Sequence, residues 1–88
     1  MTKGLPIPTA VNNDNNAIEL LRVWAANGKQ HIVIEPSAWD DPAAWGIMLA
    51  DLAKHISQAL CRNDEQQARI VLARIKEGLL VELENPTE

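Results

Sequence analysis

The spacing of apolar residues changes once along this chain. From Ile18 to Glu35 two short β-prone apolar runs flank a turn dipeptide; from Trp45 onward apolar residues recur every three or four positions. The first pattern predicts half-buried strands and the second amphipathic helices. Residues 18–26 (IELLRVWAA) and 30–35 (QHIVIE) are β-prone runs on either side of Asn27-Gly28. That dipeptide suits a type I′ turn, in which both central residues need positive φ. A two-residue loop pairs Ala26 with Lys29, Trp24 with His31, Val23 with Ile32, Arg22 with Val33, Leu21 with Ile34 and Leu20 with Glu35. One face of the hairpin then carries Leu21, Val23, Ala25, Ile32 and Ile34, and is expected to join the core. The other carries Leu20, Arg22, Trp24, His31, Val33 and Glu35. A one-residue slip would mix the two sets, so the turn and the pattern specify the same register.

A first helix is expected over 42–61. Asp41 fits the N-cap and Pro42 the first helical position, because a carboxylate accepts from free N–H groups and proline has no donor to leave unpaired. Trp45, Met48, Leu49, Leu52, Ala53, Ile56, Ala59 and Leu60 project onto one stripe. Gly46, Ala50, Ala53 and Ser57 form a ridge of small residues beside it, suited to close approach by another backbone. A second helix is expected over 64–84, with Ala68, Val71, Leu72, Ile75, Leu79 and Leu83 on its stripe and Glu65 and Arg69 paired outside it. Gly78 could end that helix and leave residues 79–84 as a third strand. Leu79 and Leu83 stay on the helical stripe, which favours continuation. Before the hairpin, residues 1–16 read as an irregular arm, since Pro6 and Pro8 favour extended backbone and Asn12 to Asn16 favour turns.

The chain thus reads as an arm (1–16) and one small α+β domain (17–88), a β-hairpin packed on two α-helices in the order β-β-α-α. Its 88 residues fit a single thin core. With three Trp and neither Phe nor Tyr, aliphatic side chains must fill that core. Trp45 belongs to the first helix's stripe and Trp39 to the helix entry. Trp24 has no obvious place in a monomer's core.

Charge and cysteine content narrow the partners. Eight Lys and Arg against twelve Asp and Glu argue against a nucleic-acid module, which needs a basic patch. No apolar run approaches the ~20 residues that span a bilayer. The N-terminus has no apolar signal core, and the lone Cys61 fits a reducing compartment. The expected location is cytoplasmic, without nucleic acid, membrane or cofactor.

Candidate chemistry is sparse. Asp51 and His55 stand four apart on the first helix, the spacing of a carboxylate that orients an imidazole; a helix-surface charge pair is the favoured explanation of so small a signal. A metal would need a third ligand, and His31 points away from the expected core, so no metal site is assigned. Cys61 and His55 lie roughly 240° apart around one helix and cannot form a dyad. No catalytic residue is assigned. The outer hairpin face says more, because Trp and Arg on an amphipathic surface are typical interface anchors. A second subunit, the arm or the end of the second helix, or a ligand could cover it. The leading expectation is self-association, as a homodimer or an accessory protein-binding module. The alternative is a small-molecule site for an anion or aromatic group, drawing on Leu20, Arg22, Trp24, His31, Val33 and His55. An enzyme using Asp51 and His55 comes third.

The stretches Leu21-Arg22-Val23-Trp24, Gln30-His31 and Trp39-Asp40-Asp41-Pro42-Ala43-Ala44-Trp45-Gly46, followed by Asp51 and His55, resemble a bacterial domain-of-unknown-function family. Its members are short stand-alone proteins, mainly from proteobacteria. The resemblance runs from about Ala17 to Thr87, with Leu79 where relatives are expected to carry an aromatic. It implies a small α+β protein and carries over no activity.

Overall fold

The computed structural model describes residues 4–85. It divides into two compact units, with the boundary between Ala38 and Trp39. In the first unit the arm contains one helical turn, α1 (Thr9–Asn12). Extended Pro8 precedes it, and Val11 N–H donates to the Pro8 carbonyl at 3.0 Å. The turn goes no further: the Asp14 carboxylate accepts from Asn16 N–H at 2.8 Å, an Asx turn that redirects the chain.

Strands β1 (Leu21–Ala26) and β2 (Lys29–Ile34) form a two-stranded antiparallel sheet. Their register is the one the sequence specifies, from Leu21 opposite Ile34 to Ala26 opposite Lys29. Asn27 at φ 53° and Gly28 at φ 73° make the turn with both central residues left-handed. The Glu35 N–H donates to the Leu20 carbonyl at 2.9 Å and extends the pairing by one residue beyond the strands.

The second unit is a helical hairpin, α2 (Ala43–Leu60) and α3 (Glu65–Glu84). Asp41 Oδ1 accepts from Ala43 N–H at 3.0 Å, and Pro42 already has helical dihedrals, so the acidic pair and proline start α2 as expected. Trp39 and Trp45 meet edge to face, with centroids 4.9 Å apart, and pack the helix entry. Asn63, at φ 66°, turns the chain between the helices. Asp64 caps α3 by accepting from Gln67 N–H at 3.0 Å. α3 runs through Gly78 without a break. Glu65 and Arg69 close no ion pair; Arg74 and Glu77 do, at 3.5 Å.

α2 and α3 pack on one another; Ala53, Ser57, Ala68, Val71, Leu72 and Ile75 are all at least half-buried, and Ser57, Ala68 and Leu72 line one concavity between the helices. The lower part of the small-residue ridge therefore receives α3, and Ser57, 2% exposed, donates its hydroxyl to the Lys54 carbonyl at 2.8 Å. The upper part does not: Gly46 is exposed, and a Cβ added there would meet nothing within 4 Å. Leu49, Leu52, Ile56 and Leu60, expected to be core, are also exposed. The element order and the mix of a sheet with long helices make this an α+β fold.

Candidate functional site

The pleat of β1 and β2 divides their side chains between two faces, and residues on both are exposed. On the face expected to join the core, Val23, Ile32 and Ile34 keep 50%, 60% and 53% of their surface accessible. Among the described residues no hydrophobic side chain is buried, and Ser57 is the single buried polar one.

The other face brings together most of the residues singled out from sequence. Leu20, Arg22, Trp24, Val33 and Glu35 line a concavity of about 360 Å3 together with Glu19, Leu21 and Ile34. Trp24 and Val33 remain exposed within it. Arg22 is not free to hold an anion. Its Nε donates to Glu19 Oε2 at 2.6 Å, and that contact raises the guanidinium's affinity for its proton while holding the Glu19 carboxyl below its ordinary value. In a regular strand residues 19 and 22 would lie on opposite faces. β1 begins only at Leu21, which leaves Glu19 free to fold back.

Glu35 is held in its charged form at the end of β2. Its Oε2 accepts from the Ser37 hydroxyl at 2.6 Å and the Ser37 N–H at 3.2 Å, and the hydroxyl leads in lowering its pKa. His31, paired with Trp24 across the strands, donates from Nε2 to the Ala26 carbonyl at 3.3 Å. A further concavity, of about 510 Å3, lies between residues 4–7 of the arm and β1, against Glu19, Leu21, Arg22, Val23 and Trp24.

In the helical unit, His55 Nδ1 donates to the main-chain carbonyl of Asp51 at 2.8 Å. The two residues are adjacent on α2, but the imidazole meets the backbone of Asp51, not its carboxylate. Cys61 is a free, half-buried thiol at the end of α2. Among the described residues no three His, Cys, Asp or Glu side chains gather as metal ligands, and no helix is long and apolar enough to cross a membrane.

A small α+β chain with an open hairpin and an open helix pair is the class these features define. The chain belongs to the family described as a domain of unknown function, DUF5076, which matches residues 4–87 and so takes in the arm as well as the stretches that carried the resemblance. It is similar, at 34% identity and a TM-score of 0.79, to a solved protein from the photosynthetic bacterium Rhodopseudomonas palustrus CGA009 provisionally described as a pyruvate dehydrogenase. The match covers 100% of this chain and 90% of that one. No curated protein matches the chain.

Proposed function

We propose that this protein acts by association, with a homodimer as its working form and without a catalytic centre of its own. The observation that carries the reading is the absence of any buried hydrophobic side chain among the described residues. Val23, Ile32 and Ile34 on the hairpin, and Leu49, Leu52, Ile56 and Leu60 on α2, are ordered apolar rows left in water. Scattered exposed apolar residues are normal, but contiguous rows mark contact surfaces. Burying what remains exposed of such a side chain is worth roughly 1 kcal/mol, about half of the full value. The three hairpin residues of two copies then supply about 6 kcal/mol, and the association cost takes at least ~4 of this. A micromolar dimer needs ~8 kcal/mol net. The helical rows must therefore contribute too. The free thiol of Cys61 accords with a reducing cytoplasm.

Sedimentation equilibrium and light scattering from nanomolar to micromolar concentration test the reading. The expected result is a reversible dimer; a monomer throughout that range refutes it. Trp24→Glu tests whether the outer hairpin face belongs to the contact and should weaken the dimer at least tenfold if it does.

The 360 Å3 concavity favours a second reading, a shallow site for a small molecule, since its volume lies within the range of ligand pockets. Glu19 and Glu35 give its rim an acidic character, and Arg22 is already paired, so a cationic or neutral ligand suits it better than an anion. A thermal-shift screen separates the readings: stabilisation that Trp24→Ala abolishes supports a ligand, and a uniformly flat response removes it.

A further inference from the structure

A two-stranded sheet has two open edges, and in this one they are not equivalent. The bond from Glu35 N–H to the Leu20 carbonyl marks that pair as hydrogen-bonded, and such pairs alternate along an antiparallel ladder. Arg22–Val33, Trp24–His31 and Ala26–Lys29 are therefore also bonded within the hairpin. The peptide groups of Leu21, Val23 and Ala25 point out from the β1 edge, and those of Gln30, Ile32 and Ile34 point out from the β2 edge. The arm lies beside β1, where residues 4–7 share a concavity with Leu21 and Val23. No described strand pairs with the outer edge of β2. Lys29 is the one charge on β2 and stands at its first position; from Gln30 to Ile34 nothing blunts pairing, since there is no charge and no bulge, and Pro36 comes only after the strand has ended.

We propose that β2 pairs antiparallel with β2 of a second copy about a two-fold axis at Ile32, joining two hairpins into one four-stranded sheet. This proposal rests on the self-association reading and specifies where the copies meet. The register follows from arithmetic. Outward-pointing residues must face outward-pointing residues, so the paired positions must be of even number and add to an even sum. A sum of 64 places Ile32 opposite Ile32, Gln30 opposite Ile34, His31 opposite Val33 and Lys29 opposite Glu35. Moving the axis to residue 33 would set Pro36, which has no N–H, opposite Gln30 at a bonded position. Moving it to residue 31 would run Ile34 into the turn at Gly28. Only the axis at Ile32 uses the whole edge.

Side-chain chemistry favours the same register. Lys29 has no ion-pair partner among the described residues. Glu35, at the other end of the strand, is charged and bonds Ser37 through Oε2 alone, so Oε1 remains available to a lysine. The two-fold axis creates this Lys–Glu pair twice. Paired residues share a face, so one face of the joined sheet gains the row Val23–Ile32–Ile32–Val23, apolar from edge to edge. The other gains the row Arg22–Val33–His31–Trp24, with the last two residues from the second copy. Two strands alone are marginal in water, and four strands with an apolar face reach the size at which a sheet holds together.

The test measures dimer dissociation by sedimentation equilibrium for the full chain, for Lys29→Glu, for Glu35→Lys and for the double reversal. Each single reversal opposes like charges at two symmetric places and should weaken the dimer at least fivefold. The double reversal should return it to within twofold of the natural protein. As an independent measurement, His31→Cys with Val33→Cys, in a Cys61→Ser background, should give a disulfide-linked dimer on mild oxidation, because those positions face each other in a non-bonded pair. His31→Cys alone should not. A natural protein that is monomeric at every concentration overturns the self-association reading itself. A stable dimer that ignores the charge reversals and fails to cross-link overturns only the β2 pairing.

Discussion

Gly78→Ala tests the structure where its sequence is most ambiguous. Gly78 lies inside α3, is exposed, and a Cβ built there meets nothing within 4 Å. The substitution therefore removes the backbone-entropy cost of a helical glycine without introducing a clash, a gain of about 0.8–1.0 kcal/mol. At ~2.1 cal/mol/K per residue, unfolding 88 residues carries an entropy of about 0.18 kcal/mol/K near the midpoint. The expected rise in Tm is thus ~5 °C. Thermal unfolding followed by far-UV circular dichroism, at one fixed protein concentration because association shifts Tm, would measure it. Urea denaturation should show a higher midpoint with an unchanged slope. If residues 79–84 instead formed a strand after a turn at Gly78, alanine would be neutral or harmful. A Tm that stays level or falls would refute the continuous helix.

Other substitutions test the turn, the caps and the charged end of β2. Gly28→Ala should cost about 1 kcal/mol or more, since φ at that position is +73° and a Cβ disfavours it, and chemical denaturation would show the loss. Asp41→Ala and Asp64→Ala should each cost about 1 kcal/mol, because each carboxylate satisfies a main-chain N–H at the start of a helix; Asn at either place should recover most of it. Glu19 and Glu35 titrate below the ordinary carboxylate value in the folded chain, so their contribution to stability is present above that value and is lost as the pH falls through the folded pKa. NMR titration should show Ser37→Ala moving the Glu35 midpoint back up while leaving that of Glu19 in place.

The turn and register of the hairpin were legible because two independent signals coincide: the Asn27-Gly28 turn, and a pairing that gathers Leu21, Val23, Ala25, Ile32 and Ile34 on one face. The helix starts were equally plain, since Asp41-Pro42 and Asp64 do chemically what a helix N-terminus requires. The turn of α1 was not legible, because four residues carry no period and no side-chain cap marks their start. On α2 periodicity identified which side chains share a stripe, but not what covers them. The small residues Ala53 and Ser57 receive α3, while Leu49, Leu52, Ile56 and Leu60 stay exposed. The outer hairpin face emerged with Leu20, Arg22, Trp24 and Val33 around one concavity, yet its Arg22–Glu19 pair depends on where β1 begins, which alternation alone misplaced. His55 and Asp51 show the same limit: spacing predicts adjacency, whereas the choice between a carboxylate and a carbonyl depends on rotamers.

The distribution of the three tryptophans has a spectroscopic consequence. Trp24 is the sole indole of the unit that ends at Ala38, and Trp39 and Trp45 both belong to the other, where their rings touch at 4.9 Å. No tyrosine or phenylalanine adds a background. Excitonic coupling between this pair, 4.9 Å apart at 74°, should give the helical unit a circular-dichroism band of its own. Trp24 emission, isolated by difference from a Trp24→Leu variant, follows the hairpin. Melting of each unit can therefore be timed separately in the unlabelled protein, with no dye attached and no engineered chromophore.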